Sequence, residues 1–157
     1  MDRDRALTEL LEREQIRELA TRYSIAVDSH DVDTLALLFD EDVEHGKAGK
    51  GPAAAKEYFG QYLESGPTAT MHLVANHQID FVDDDNATGV CYYRVVSGTD
   101  GVWSDRLLVY FDTYRRRDGH WHFLRRRISP MVRLPAVQPP PDEPFRIPDA
   151  WDRYRQT

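Results

Sequence analysis

The sequence lacks most of what announces a chemistry outright. Its 157 residues include one cysteine, Cys91, so no internal disulfide can form and no cysteine-based zinc cluster can be built. No apolar run approaches the roughly 20 residues that a membrane-crossing helix needs. The opening M-D-R-D-R-A-L-T-E-L has no apolar segment of a secretory signal. These absences predict a cytoplasmic protein with no membrane partner. The six histidines, His30, His45, His72, His77, His120 and His122, form no H-E-x-x-H pair, so no metal site is expected. G-K-A-G-K-G-P lacks the Walker spacing and its closing serine or threonine, and no cofactor of any kind is expected. Positive charge is also short. Twenty Lys and Arg stand against 27 Asp and Glu, a net charge of −7. Basic and acidic residues interleave throughout and aromatic platforms are missing, which excludes nucleic acid as a partner.

What is present is an ordinary globular balance, 41% hydrophobic and 30% charged. Apolar side chains recur at helical spacing over residues 5–27: Leu7, Leu10, Leu11, Ile16, Leu19, Ala20, Tyr23 and Val27. Asp31 and Asp33 precede Leu35, Leu37, Leu38 and Phe39, a second short helix with Asp31 as its cap. D-E-D-V-E-H reads as a break and a short strand. Pro52 suits the first turn of a third helix, A-A-A-K-E-Y-F-G-Q-Y-L. From residue 70 the period changes to two. Four strand segments follow, and Asp118-Gly119 fits a primed hairpin turn between the last two. Helices first and an antiparallel meander last predict an α+β fold.

The tail is different in kind. P-A-V-Q-P-P-P-D-E-P-F-R-I-P-D-A-W-D-R-Y is too rich in proline for helix or central strand. Its Phe145, Ile147, Trp151 and Tyr154 are too apolar for a plain linker. The reading is a domain over 1–130 and a proline-rich arm over 131–157, packed on its own or a neighbouring subunit.

Several polar residues stand out, and pattern alone leaves each open. Tyr23 lies in an apolar helical stripe, where packing is as good a role as chemistry. Asp28, beside Ser29 and near Asp31, can cap a helix end. Tyr23 and Asp28 are five residues apart, about 140° round a helix, so both reach one cavity only where the helix ends. His72 alternates with Val74, Asn76 and Gln78, a face that fits solvent or a pocket; His77 falls on the opposite face.

Taken in order, I-R-E-L-A-T-R-Y-S-I-A-V-D-S-H-D-V-D-T-L-A-L-L-F-D-E-D-V, G-P-A-A-A-K-E-Y-F, T-M-H-L-V-A-N-H-Q-I and Y-F-D-T-Y-R-R-R-D-G-H-W-H-F-L-R-R-R resemble the SnoaL-like proteins of the NTF2-like superfamily. The resemblance runs over about residues 8–130. It implies a cone: helices packed on a strongly curved, mixed or antiparallel sheet that encloses a pocket. Within that superfamily the chain looks most like small lyases, among them bile acid 7α-dehydratase, scytalone dehydratase and hexachlorocyclohexane dehydrochlorinase. Their aspartate at the end of the first helix falls on Asp28. Their histidine on the first long strand falls on His72. The tyrosine of the bile acid enzyme falls on Tyr23. That enzyme's further acid falls near Val95 or Val96, where this chain has none.

The resemblance also gives the remaining candidates a pocket to line. Asn76 joins as a polar liner from the face of His72. His45 lies on the pocket floor or at the surface. Tyr92 and Tyr93 point opposite ways, so one of them lines the cavity, with Tyr93 the candidate. Asp105, which alternates with Trp103, Leu107, Val109 and Phe111, is a stand-in for the missing acid. Arg127, sharing a face with Arg125, Trp121 and Phe123, is the basic residue that would hold an anion. A His–Asp pair suits proton abstraction, because the carboxylate fixes the imidazole tautomer and leaves the other nitrogen as base. The expected function is a cofactor-free lyase or isomerase, of dehydratase or cyclase type, on a mainly apolar cyclic substrate such as a steroid, polyketide or terpenoid. The competing readings are a non-catalytic small-molecule binding protein and an accessory subunit resembling the ring-hydroxylating dioxygenase beta subunit. A homodimer or homotrimer is expected.

Overall fold

The computed structural model describes residues 3–99 and 102–135. The first helix, α1 (Arg3–Asp28), has no glycine or proline in its 26 residues. Only its second half is buried: Ile16, Leu19, Ala20, Tyr23, Ser24, Val27 and Asp28, at the spacing of one helical face. Leu7, Leu10 and Leu11, read from sequence as part of the same stripe, are exposed. The helix stops by a left-handed turn. His30 has φ +56°, its N–H donates to the Val27 carbonyl and the Asp31 N–H donates to Ala26, the paired bonds of a Schellman end. Asp31 then caps α2 (Val32–Leu37), accepting from the Thr34 amide at 3.0 Å and its hydroxyl at 2.7 Å. So His30 and Asp31 serve the turn.

The segment after α2 is a turn region with a short 3₁₀ turn, Gly46–Ala48, and not the strand its sequence suggests. Glu44 and Lys50 make one isolated bridge there. Pro52 stands in the first turn of α3 (Gly51–Ser65), whose buried side is Ala54, Ala55, Phe59 and Leu63.

Four antiparallel strands complete the fold: β1 (Ala69–Phe81), β2 (Asn86–Thr99), β3 (Val102–Arg117) and β4 (His120–Leu134), hydrogen-bonded in sequence order. The sheet is curved and open, and the fold is α+β. Asp118 (φ +51°) and Gly119 (φ +81°) form the primed two-residue turn between β3 and β4. The strands β2 and β3 pair without interruption. Both outer strands carry bulges. In β1 two residues, Ala75 and Asn76, stand opposite the single Tyr92. In β4 Leu124 is the extra residue between the pairs Tyr114–Phe123 and Thr113–Arg125, and Met131 is a second. A bulge adds one residue, so every later side chain changes face. These shifts decide which polar residues enter the molecule.

The core lies between helices and sheet. One cluster joins Ile16, Leu19, Tyr23, Leu35, Phe59, Tyr114, Trp121 and Phe123. A second, towards the middle of the sheet, holds Ala20, Cys91, Tyr93, Val95, Leu108 and Tyr110. Gly89 makes room for the aromatic packing: a Cβ there would lie 2.9 Å from the Tyr114 ring. β4 continues through Pro130 to Leu134, past the point where sequence placed the start of the arm. As a strand with a neighbour on one side only, it tolerates the proline. The rest of that arm, with Phe145, Ile147, Trp151 and Tyr154, lies outside the described residues. Among the described residues no helix is long and apolar enough to cross a membrane.

Candidate functional site

Asp28 occupies an unfavourable place for an acid, the last turn of a helix, where the backbone dipole is negative. Three donors converge on it. The Thr70 hydroxyl donates to Oδ1 at 2.8 Å, the His72 amide donates to Oδ2 at 2.8 Å, and His72 Nδ1 lies 2.6 Å from Oδ1. Thr70 and His72 reach the same carboxylate because they are two apart on β1. Both side chains of the pair are nearly closed to solvent, 8% exposed for His72 and 11% for Asp28. A carboxylate accepts only, so the imidazole Nδ1 carries the proton, and in the neutral ring Nε2 then has the lone pair.

The ring of His72 is held edge-on by two tyrosines, Tyr23 at 6.3 Å and Tyr93 at 6.2 Å between centroids. Two cavities adjoin, and His72 lines the smaller of them. The smaller, about 130 Å³, is lined by His30, Thr70, His72, Ser97 and Arg106 and by apolar residues that include Val27, Leu63, Val95 and Leu108. The larger, about 570 Å³, is lined by Tyr23, Phe39, His45, Tyr58, Phe59 and Arg126 among others. Tyr62 and Ile128 line both. A chamber rich in aromatic rings therefore adjoins a small lobe, largely apolar in its lining, that includes the imidazole.

Burial pushes the Tyr23 hydroxyl well above its ordinary range, with Arg126 opposing in part, so Tyr23 is a neutral donor at any working pH. His45 is buried on the wall of the larger cavity, stacked among Phe39, Tyr58 and Phe59. Burial lowers its pKa and keeps it neutral. Tyr93 faces inward, but its hydroxyl donates to the Ala20 carbonyl at 3.3 Å and accepts from Arg126 at 3.0 Å, within the core.

Three candidates do not reach this place. Asn76 is exposed, because the bulge at residues 75 and 76 ends the alternation that tied it to His72. The same bulge turns His77 inward, against its expected side, where it lies 3.0 Å from the Tyr114 hydroxyl. Burial, with Arg126 and Arg17 adding to it, pushes its pKa down to about 4. Asp105 sits on the outer face of β3, gripped through both oxygens by Arg94, at 2.7 Å for the closest pair. Arg127 also lies outside, over the Phe111 ring at 4.9 Å. The bulge at Leu124 puts Arg126 inside in its stead.

Arg126 is a basic residue of the interior, with its side chain 4% exposed. Its guanidinium bonds Asp112 at 3.1 and 3.2 Å and stacks on Tyr23 and Tyr110, each 4.2 Å from the ring centre. Burial raises the Asp112 pKa, and Arg126 offsets part of that. Sequence reasoning missed Arg126, Arg106 and Thr70. Thr70 was within reach of the period-two argument that groups it with His72. The arginines required knowing which phase of β3 and β4 faces inward. Among the described residues no group of three or more His, Cys, Asp and Glu side chains is placed to hold a metal ion.

Comparison with known proteins sets this geometry among relatives. The family model of the SnoaL-like domain matches residues 8–127. Hexachlorocyclohexane dehydrochlorinase 1 of Sphingobium indicum is 29% identical over 123 residues, which span 73% of this chain and 79% of that one. The solved structure of a type 2 hexachlorocyclohexane dehydrochlorinase superposes with a TM-score of 0.74 at 25% identity, over 87% of this chain and 98% of that one. An NTF2-like protein with a cystatin-like fold from Novosphingobium aromaticivorans is 31% identical, with a TM-score of 0.65, over 80% of this chain and 85% of that one.

Proposed function

This chain belongs to the family of SnoaL-like domains, and we propose that it is a cofactor-free lyase in which His72 is the base and Asp28 its positioning partner. The observation that carries the reading is the 2.6 Å contact between His72 Nδ1 and Asp28 Oδ1, beside a cavity that His72 itself lines. Its likeness to dehydrochlorinases, whose names describe loss of hydrogen and chloride, points the same way.

The step is an elimination. Nε2 takes a proton from a carbon whose acidity a neighbouring carbonyl or halogen raises. The released C–H electron pair becomes the new double bond as the bond to the leaving group breaks. A hydroxyl leaves as water, with the proton returned from the imidazolium; a halogen leaves as halide, and the imidazolium then gives its proton to solvent. Asp28 stabilises the imidazolium and keeps its tautomer. Tyr23, a neutral phenol on the wall of the adjoining chamber, donates to the carbonyl or leaving oxygen. His45 and the aromatic rings of the larger cavity hold the body of a mainly apolar cyclic substrate, such as a steroid, polyketide or terpenoid.

The test is a panel of cyclic β-hydroxy ketones and polychlorinated cyclohexanes, with alkene products followed by mass spectrometry. Turnover by the wild type that falls by at least about 100-fold in D28N, with folding retained, supports the reading. Equal rates in the two proteins remove Asp28 from it, and no alkene from any compound leaves a binding protein as the better description.

The chain is also proposed to self-associate as a homodimer or homotrimer through the outer face of the sheet. That face exposes Met71, Leu73, Tyr92, Phe111 and Val132. Light scattering should give a multiple of 18.2 kDa for the wild type and the single-chain mass for L73E combined with F111E. A monomeric wild type would end this part.

A further inference from the structure

Arg106 is a further cation of the site. It lies on the inner phase of β3 and lines the small lobe together with His72, Ser97 and Thr70. Its Nη2 donates to the Ser97 hydroxyl at 3.2 Å, and its Nε is buried with no partner among the described residues. Among the described residues no carboxylate pairs with it. Two other cation-forming groups beside the cavities have carboxylate partners. Arg126 has Asp112, and His72 has Asp28. A guanidinium held in a narrow lobe with one hydroxyl for company is incompletely satisfied, and an entering anion corrects that.

The register gives the spacing. His72 pairs with Val95, and Val95 pairs with Arg106, so the three form one row across β1, β2 and β3. Neighbouring strands lie about 4.8 Å apart, which puts the backbones of His72 and Arg106 about 10 Å apart with both side chains on the concave face. The Val95 side chain is the floor between them. A molecule in the lobe therefore meets a base at one end and a fixed positive charge at the other.

We propose that Arg106 binds a carboxylate on the substrate, so that the preferred substrates are apolar ring compounds bearing an acid group a few bonds from the carbon that His72 deprotonates. This deepens the elimination reading and rests on it for the role of His72. The planar guanidinium matches a carboxylate fork better than an isolated charge does. The lobe, about 130 Å³, takes a carboxylate and a few carbons, while the ring body extends towards the larger chamber.

The experiment is a binding titration, followed by NMR, of the full chain with benzoate and with the neutral isostere benzamide. Wild type should bind benzoate at least about tenfold more tightly than benzamide. R106Q should lose about tenfold in benzoate affinity and leave benzamide within about twofold. R106K, which keeps the charge without the fork, should fall between. H72Q should keep the preference for benzoate, and this separates the two ideas. Loss of turnover with the benzoate preference intact speaks to His72 alone, and a benzoate preference in a protein with no turnover leaves the anion site standing. Three results overturn the proposal: equal benzoate affinity in wild type and R106Q, no preference over benzamide, or no benzoate binding by wild type up to about 10 mM.

Discussion

An acid at the C-terminal end of a helix works against the dipole by roughly 0.3–1 kcal/mol, and burial adds to that cost. Asp28 stands in that place and is met by three donors, one from a hydroxyl, one from an amide and one from an imidazole. Such a residue is held there by what it bonds. The consequence for His72 is a fixed tautomer. Long-range ¹H–¹⁵N spectra at about pH 9, well above the ordinary imidazole range, should show His72 protonated on Nδ1 with Nε2 bare. In D28N the preference should weaken or reverse. A wild-type ring protonated on Nε2 would mean that the free nitrogen faces the carboxylate, and the base would have no lone pair for a substrate. Of this arrangement the sequence displayed the residues but not the bond: Asp28 could equally have capped a helix, and only family resemblance joined it to His72, 44 positions on.

Elements were legible from period and punctuation, and their faces were not. The helix–helix turn at His30 and Asp31, the Asp118-Gly119 hairpin and the four-strand order all follow from local patterns. Strict alternation, however, predicts side-chain direction only as far as the first bulge. One extra residue at 75–76 takes Asn76 out and brings His77 in; one at Leu124 exchanges Arg127 for Arg126. Asp105 was misread for a simpler reason. β3 alternates without a break against β2, but its apolar content on both phases hid which one faces inward. Composition carries no signal for a bulge that a neighbouring strand imposes. The pairing of Arg126 with Asp112 ties β4 to β3 inside the core, and it gives the element scale its own test. D112A leaves the guanidinium buried and uncompensated, at a cost of about 3–5 kcal/mol. Thermal unfolding should fall by roughly 10 °C or more. Replacing both residues, as D112L with R126M, should cost clearly less. A D112A protein that melts with the wild type would show that the pair contributes nothing to holding the strands together.

For the whole molecule, buried ionisable groups set how stability depends on pH. His77 has its pKa pushed down to about 4 by burial first and by Arg126 and Arg17 next, against about 6.5 in an unfolded chain. The unfolded state therefore binds the proton first. The neutral ring's contribution is complete above about pH 6.5 and is lost as pH falls towards 4, on the order of 2 kcal/mol once partial exposure is allowed for. Asp40 works in the same direction at lower pH. Burial opposes its ionisation, but the hydrogen bonds from Arg117 and the Asp42 amide hold its pKa below the usual carboxylate range, so its contribution is lost on acidification. Denaturant melts should show stability falling between pH 6.5 and 4, and H77Q should flatten that slope. An unchanged slope in H77Q would place the proton uptake elsewhere. In the proposed elimination, helix end, strand and cavity act together through Nε2 of His72. The decisive measurement is kcat/KM for wild type and H72Q on whichever compound the wild type converts to an alkene. H72Q should lose about 1,000-fold, within the range a positioned base contributes, with the melting temperature little changed. Alkene formation by H72Q at the wild-type rate would contradict His72 as the base.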